Sequence, residues 1–184
     1  MDARDALAVG ALNEMLVLLT GASGAGKSTY ARRLAKGLYG DLTFISTEIP
    51  ELEIKANPEQ LSREGFKFVE RFTDIGGLDI SGGAAILDCL CNLTANEMFD
   101  ENGAIRENVD KTVTDGIMSL AGRFEMLIVV TNEIASAGAC GNDSTVAYKA
   151  TLCAINRRLA ARADCVYELC VAIPTALKGE LLLV

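Results

Sequence analysis

Short apolar runs and amphipathic segments alternate along the chain, and this alternation is the first guide to its fold. Each run has the length of a strand and is shorter than a typical buried helix. Apolar side chains occupy successive positions in these runs, which is typical of strands covered on both faces. The runs predict strands at Met15–Thr20, Leu42–Ser46, 84–90, 126–131 and 165–172, with a further edge strand in the last six residues, 179–184.

Between these runs, apolar residues recur at helical spacing. Tyr30, Leu34 and Leu38 follow one another every four residues, as on one face of a helix. Strands that are buried on both faces and separated by helices indicate a mostly parallel sheet flanked by helices, so we expect a single α/β domain over residues 1–184. The pattern predicts helices at Lys27–Leu38, 105–122 and 144–163, and a mixture of helix pieces and loops in the polar segment 47–80.

The junction between the first strand and the first helix carries a specific motif. Gly21, four further residues and then Gly26-Lys27-Ser28 fit the pattern G-x-x-x-x-G-K-[ST]. Glycines let the backbone approach phosphate oxygens, and N–H groups at the helix start point at the anion. Lys27 supplies a positive charge for the β- and γ-phosphates, and the Ser28 hydroxyl is placed for Mg²⁺. We therefore predict nucleoside triphosphate binding by Gly21, Ala22, Ser23, Gly24, Ala25, Gly26, Lys27, Ser28 and Thr29. A glycine-rich turn without a ligand would not require lysine and serine at those two positions.

Two acids that follow apolar runs are candidates for the rest of the site. Asp88 ends the third predicted strand, at the edge of the sheet where ligands gather, and predicts a second anchor for Mg²⁺. Glu133 follows the fourth strand and is a candidate for binding magnesium or orienting an acceptor hydroxyl. Simpler interpretations stay open, since Asp88 could cap the next segment and Glu133 could be an ordinary loop acid. Lys27, Asp88 and Glu133 are the candidate catalytic residues.

Composition narrows the classes of protein further. The net charge of −8, from 25 acidic and 17 basic residues, argues against a general nucleic-acid surface. Arg157, Arg158 and Arg162 either clamp a phosphate or form a solvated basic face.

Six cysteines without a CxxC pair and without histidine predict buried thiols rather than a zinc site. No run reaches the roughly 18 apolar residues of a membrane span, so we expect a cytoplasmic protein without membrane contact.

Four regions together make the chain similar to a known family. They are "LVLLTGASGAGKST" (16–29), "FISTE" (44–48), "AILDCLCNLTANEMF" (85–99), and "VVTNEIASAG" (129–138) with "INRRLAARADCVYEL" (155–169). The phosphate loop alone is generic, whereas "VTNE" followed by "NRRLA" and "AD" at this spacing is more specific. From Met15 onward, the chain resembles the bifunctional adenosylcobinamide kinase / adenosylcobinamide-phosphate guanylyltransferase family of cobalamin biosynthesis.

This resemblance implies a P-loop, RecA-like fold, assembled as a homotrimer, and two reactions. In the first, ATP or GTP phosphorylates the aminopropanol hydroxyl of adenosylcobinamide, a corrinoid alcohol. In the second, GMP passes from GTP to that phosphate through a GMP-histidine intermediate. The resemblance also implies nucleotide contacts by Ser46, Thr47, Glu48 and Glu70.

The chain departs from that family in one respect, because it contains no histidine. The guanylylated histidine should fall near residues 59–61, where glutamine and leucine cannot act as nucleophiles. Kinase action asks for positioning and electrostatics, and none of its requirements is missing. We therefore expect a kinase without covalent guanylyl transfer. Three alternatives stay open: a nucleotide-binding regulatory or interaction protein, a kinase for another small alcohol, or a bifunctional enzyme with a different nucleophile.

Overall fold

A seven-stranded sheet with helices on both faces forms the fold. The computed structural model describes residues 14–50, 57–100, 102–134 and 141–182, so the last part of the resembling segment 129–138, residues 135–138, lies outside it. The strands are β1 (Met15–Thr20), β2 (Leu42–Ser46), β3 (Phe66–Glu70), β4 (Gly82–Asp88), β5 (Phe124–Val130), β6 (Cys165–Cys170) and β7 (Ile173–Lys178). The helices are α1 (Lys27–Leu38), α2 (Pro58–Arg63), α3 (Leu90–Met98), α4 (Val109–Ala121) and α5 (Asp143–Arg162), with a short 3₁₀ turn at Ile75–Gly77.

The strand order in the sheet is β3-β2-β4-β5-β1-β6-β7. Neighbouring strands are parallel except for β6 and β7, which form an antiparallel hairpin at one edge. β1 lies near the middle, and β5 separates it from β4. The carboxyl ends of the parallel strands meet at one edge of the sheet, which is where ligands bind in such folds. The predicted α/β fold with a mostly parallel sheet is confirmed.

The central strand β1 shows why its sequence is apolar at successive positions. Leu16 and Leu18 pack on the face covered by α3, α4 and α5. Val17 and Leu19 pack on the opposite face, against α1. All four are at most 3% exposed, so both faces of the strand are buried.

Several predicted elements differ from the structure in their bounds, and one strand was not predicted. The strand predicted at 84–90 ends at Asp88, and α3 begins at Leu90 because Leu90 and Leu93 turn into the core. The helix predicted at 105–122 begins at Val109. Strand β3 lies within the segment that was predicted to contain helix pieces and loops. β3 is an edge strand in which Phe66 alone is fully buried, so it lacks the apolar run of a central strand.

The C-terminal edge of the sheet also differs from the prediction. The strand predicted at 165–172 ends at Cys170, and the edge strand is β7. The strand predicted at 179–184 is wrong for 179–182, and the last two residues lie outside the described part. Tyr167 Oη donates a hydrogen bond to Glu180 O at 2.6 Å and accepts one from Leu182 N at 3.1 Å. The apolar tail therefore packs as an irregular segment beneath a buried tyrosine instead of extending the sheet.

Candidate active site

The phosphate loop connects the carboxyl end of β1 to the start of α1. Gly21 and Gly26 have φ angles of 136° and 89°, a region that side chains other than glycine rarely adopt. A Cβ on Gly21 would collide with the carbonyl oxygen of Leu169, and a Cβ on Gly26 would lie 3.1 Å from Cβ of Ala172. The loop thus needs glycine at both positions, because β6 and the turn after it pass directly against the loop.

Lys27 folds back over the mouth of the loop. Its Nζ donates hydrogen bonds to Gly21 O at 3.0 Å and Ala22 O at 2.6 Å. The side chain is buried, and burial lowers its pKa from the ordinary value, while negative charge on Cys91 and Asp88 acts in the opposite direction. The ammonium group therefore lies where phosphate oxygens can replace the two carbonyl partners.

Asp88 at the end of β4 and Ser28 in α1 come into contact, although β5 separates β4 from β1, the strand that precedes α1. Ser28 lies in the first turn of α1 and hydrogen-bonds the Asp88 carboxylate. Burial raises the pKa of Asp88, opposed by this hydrogen bond and by the charge of Lys27. Carboxylate and hydroxyl oxygens are ligands that Mg²⁺ prefers, so this pair fits the cation. Within the described residues, no three His, Cys, Asp or Glu side chains cluster as a metal site.

Two cavities meet at this pair of residues. One, of about 440 Å³, follows the phosphate loop and is lined by Lys27, Thr29 and Asn132 among others. We call it the phosphate cavity. The second, of about 160 Å³, lies beside it, and we call it the side cavity. Ser28, Asp88 and Cys89 line both cavities, so a group held in one can reach a group held in the other. The side cavity is further lined by Arg32, Phe44, Ser46, Glu48, Asn57, Gln60, Leu61 and Asn92.

Thr47, for which the resemblance implies a nucleotide contact, is fully buried in the structure. Its Oγ1 donates to Cys89 O at 2.7 Å and accepts from Cys89 N at 2.9 Å. Its backbone N–H donates to Asp88 O at 3.1 Å, and its carbonyl accepts from Asn96 Nδ2 at 2.9 Å. The threonine thereby holds the turn that carries Asp88 in place, with its hydroxyl both donating and accepting a hydrogen bond there.

The other predicted nucleotide contacts on this side of the sheet separate into two groups. Ser46 and Glu48 line the side cavity, and Glu48 N donates to Ser46 Oγ at 3.4 Å. The negative charge of Glu48 helps to raise the pKa of Asp88, after burial as the main cause. Glu70 pairs with Ser46 in the β2–β3 register, but it is exposed on the outer strand and lines neither cavity.

Glu133 lies next to the first glycine of the loop, because its backbone N–H donates to Gly21 O at 3.2 Å. The neighbouring Asn132 lines the phosphate cavity. This segment is held from α5, since Thr131 Oγ1 donates to Asn156 Oδ1 at 2.9 Å and Asn156 Nδ2 donates to Asn132 O at 3.3 Å. Asn156 belongs to the "NRRLA" segment, and Thr131 and Asn132 belong to "VTNE". These hydrogen bonds therefore join the two segments that made the family resemblance specific.

Sequence reasoning missed three polar residues of the side cavity: Arg32, Asn57 and Asn92. Arg32 lies one helical turn after Ser28 on α1, so the i, i+4 spacing carried a signal. Asn57 is the N-cap of α2 and accepts hydrogen bonds from the N–H groups of Glu59 and Gln60 at 3.0 and 3.2 Å. The Asn-Pro dipeptide before a helix signalled that cap. Nothing local in the sequence marked Asn92.

The positions where a histidine would fall now have a structural place. Gln60 and Leu61 line the side cavity, whereas Glu59 faces outward and pairs with Arg63 at 3.5 Å. Gln60 Nε2 donates to Glu64 Oε1 at 2.9 Å. An amide and an isobutyl group therefore stand beside the site, and neither is a nucleophile.

Two thiols border the same site. Cys89 lines both cavities, and Cys91, two residues later in the first turn of α3, is buried. The hydrogen bond between the two thiols raises the pKa of Cys89 and lowers the pKa of Cys91. The prediction of buried thiols describes Cys91 and Cys165 well, while Cys170 is exposed and Cys140 lies outside the described residues.

The basic residues of α5 lie elsewhere. Arg158 pairs with Asp110 of α4 at 2.8 Å and lines a shallow surface depression together with Lys111 and Arg162. Neither Arg158 nor Arg162 lines the phosphate cavity or the side cavity. Of the two interpretations of these arginines, the structure favours a solvated basic face.

Comparison with known families decides the relationship. The family model for cobinamide kinase / cobinamide phosphate guanyltransferase matches residues 17–177. The chain belongs to this family. The match includes the phosphate loop, Asp88 and the residues of both cavities, and it confirms the resemblance predicted from the sequence. As a member of the cobinamide kinase / cobinamide phosphate guanyltransferase family, the chain has a role in cobalamin biosynthesis and is an enzyme that acts on nucleotides.

Solved structures were compared as well. The flagellar accessory protein FlaH from Methanocaldococcus jannaschii has a TM-score of 0.46 and 16% identity, covering 92% of this chain and 80% of FlaH. The P4 protein from bacteriophage phi6, in complex with ADP, has a TM-score of 0.44 and 14% identity. That match covers 88% of this chain and 52% of P4, so the chain spans about half of P4. No curated protein sequence matches the chain. None of the described helices has the length and apolar character that crossing a bilayer requires.

Proposed function

We propose that this protein is a nucleoside-triphosphate-dependent kinase that phosphorylates the aminopropanol hydroxyl of adenosylcobinamide. The observation that carries the proposal is the meeting of the phosphate cavity and the side cavity at Ser28 and Asp88. A phosphoryl donor and an alcohol acceptor need this arrangement, because the transferred group must pass between them with little movement. Family membership supports the corrinoid acceptor.

In this proposal the phosphate loop binds the triphosphate of ATP or GTP through its backbone N–H groups. Lys27 releases its two carbonyl partners and donates to the β- and γ-phosphate oxygens. Ser28 and Asp88 would hold Mg²⁺, whose charge would neutralise part of the negative charge on the phosphates. Desolvation around Lys27 strengthens its attraction to an anion, since charges interact more strongly away from water.

The acceptor hydroxyl occupies the side cavity in this proposal. Carboxylate, amide and guanidinium groups of Glu48, Asn92 and Arg32 line that cavity and can orient a polar aminopropanol arm. Phosphoryl transfer has a loose transition state, so positioning and charge stabilisation suffice without a covalent intermediate on the protein. Glu133, beside Gly21, remains a proposed contact to the donor end of the site.

We further propose that the guanylyltransferase half of the family's chemistry does not run here by a covalent histidine route. The side cavity carries Gln60 and Leu61 at the relevant place, and the sequence contains no histidine. Incubation with GTP labelled in the α-phosphate should therefore leave no acid-labile GMP adduct on the protein. Detection of such an adduct would show that another residue acts as the nucleophile.

The kinase proposal is tested with purified protein, γ-labelled ATP or GTP, Mg²⁺ and cobinamide. We expect label to appear on cobinamide, and hydrolysis without cobinamide to be much slower. Tight nucleotide binding without transfer to any alcohol would instead favour a regulatory role, and transfer to another small alcohol alone would reassign the acceptor. The family resemblance also leads us to propose a homotrimer, which light scattering coupled to gel filtration can measure.

A further inference from the structure

The turn between β6 and β7 has an unusual residue choice. Val171 and Ala172 form the two-residue connection, since Cys170 pairs with Ile173 in the register. Both turn residues have positive φ angles, 44° and 65°. Such tight turns normally use asparagine and glycine, and a β-branched residue at positive φ is rare and strained. Valine does not favour this turn conformation, so we expect another reason for an apolar side chain at this position.

This turn rests directly on the phosphate loop. Ala172 N donates a hydrogen bond to Ala25 O at 2.9 Å. The space beyond the Gly26 Cα is filled by the Ala172 side chain. The turn therefore forms one wall beside the start of α1, on the side of β1 opposite to β4 and Asp88.

The reaction geometry indicates which part of a nucleotide would approach this wall. In phosphoryl transfer the attacking and leaving oxygens lie roughly in line, on opposite sides of the phosphorus. With the acceptor in the side cavity, on the β4 side, the leaving diphosphate and its nucleoside extend towards the β6 side. That direction leads from Ser28 and Asp88 past Gly26 to the turn.

The surface there is apolar and exposed. Val171 is 79% exposed and Ile173 is 64% exposed. Among the described residues, the large hydrophobic side chains with high exposure are Ile105, Val146, Val171, Ile173 and Leu177. Three of these five lie on the β6–β7 hairpin, and two of them, Val171 and Ile173, are the neighbours of Ala172, which contacts the phosphate loop. Apolar surface beside a few polar groups is the usual composition of a site for a small organic ligand.

We propose that Val171 and Ile173 form an apolar platform for the nucleobase of the bound triphosphate. This inference rests on the proposed function, because it assumes that the phosphate loop binds a nucleotide. Aliphatic side chains contact the face of a base without reading its hydrogen-bonding edge. The platform therefore does not distinguish adenine from guanine, and we expect the site to bind ATP and GTP with similar affinity.

The test replaces the turn by the sequence that tight hairpins prefer, Val171→Asn with Ala172→Gly. Calorimetry with Mg²⁺ then measures the binding of ATP, GTP and inorganic tripolyphosphate, which has no base. We expect ATP and GTP to bind about tenfold more weakly, as for the loss of a modest apolar contact. Tripolyphosphate should bind as it does to the unaltered protein. The thermal midpoint should stay the same or rise, because asparagine and glycine suit the turn.

Leu177→Asn is the matched control. Leu177 is 59% exposed on β7, roughly 13 Å along the strand from Ile173, so its replacement should leave all three affinities unchanged.

Equal weakening of nucleotides and tripolyphosphate in the turn variant would overturn the platform, since the turn would then merely support the loop. Unchanged nucleotide binding in that variant would overturn it too. Binding of tripolyphosphate without any preference for ATP or GTP in the unaltered protein would overturn the platform and leave the phosphate site intact. Failure of the unaltered protein to bind all three would overturn the proposed function together with the platform.

Discussion

Two turns flank the phosphate loop, and they differ in almost every physical property. The turn after β4 is polar and braced: Asp88 meets Ser28, and the fully buried Thr47 holds the backbone at Cys89. The turn between β6 and β7 is apolar and exposed, with Val171 at its tip. The first suits a metal ion and moving charge, and the second suits a neutral ring. In our proposals, phosphoryl transfer takes place beside the first turn and the nucleobase contacts the second.

Removing the ammonium group from between the two turns should have the largest effect. Lys27→Ala is expected to lower the rate constant of cobinamide phosphorylation by about a hundredfold to a thousandfold, because it deletes the charge that stabilises the transferring phosphate. Lys36→Ala, on the exposed side of the same helix, should change the rate little. Steady-state kinetics on both variants gives the comparison. A Lys27→Ala enzyme with nearly full activity would rule out the role assigned to Lys27.

The braced turn itself is tested by Asp88→Asn. An amide is a weaker ligand for Mg²⁺ than a carboxylate, so we expect about a hundredfold loss of activity and a shift of the Mg²⁺ dependence to higher concentration. Asp41→Asn serves as the control, since that exposed aspartate pairs with Lys67 at 2.8 Å on the surface. An unchanged Mg²⁺ titration for Asp88→Asn would mean that another group holds the cation.

Thr47→Val tests whether the brace is structural. The substitution keeps the shape of the side chain and removes the hydroxyl, leaving the Cys89 N–H buried without its acceptor. Such a loss should lower the free energy of unfolding by about 1–3 kcal/mol, measured by urea denaturation. Thr175→Val on the exposed strand β7 should change it by less than about 0.5 kcal/mol. Equal effects for the two variants would contradict the contrast between the sides.

The smallest effect concerns the ionisation of Asp88 in protein without nucleotide or Mg²⁺. Burial raises its pKa above the ordinary 3.8, so ionising it costs more in the folded than in the unfolded state. That cost is absent below about pH 3.8, grows as the pH rises from there to the folded pKa, and stays constant above it. Thermal melts should thus find Asp88→Asn more stable than the unaltered protein near neutral pH, with the difference shrinking in acid. A difference independent of pH would show that desolvation of the carboxylate is not its cause.

The positions of the phosphate loop and Asp88 could be predicted because the signals for both lie within short stretches of sequence. A glycine-rich motif between a strand and a helix fixes where Lys27 and Ser28 point, and an acid at a strand end lies at the ligand edge of a parallel sheet. Thr47 and Glu70 were different. The resemblance implies that both contact nucleotide. In the structure Thr47 is buried and hydrogen-bonded to Cys89, and Glu70 lies exposed on the outer strand, so these two contacts stay predictions. Sequence order does not reveal which way a strand-end side chain turns.

By itself, the sequence determined the five inner strands of the sheet, the three long helices, the phosphate loop and the absence of an imidazole nucleophile. Each depends on residue identity or on spacing within a few turns of chain. The tertiary structure decided which distant residues share a cavity, as with Arg32, Asn57 and Asn92, and which turn rests against the loop. Those outcomes depend on strand order and on the position of β5 between β1 and β4. The local periodicity of a sequence predicts strands and helices, but it does not predict which distant segments come into contact.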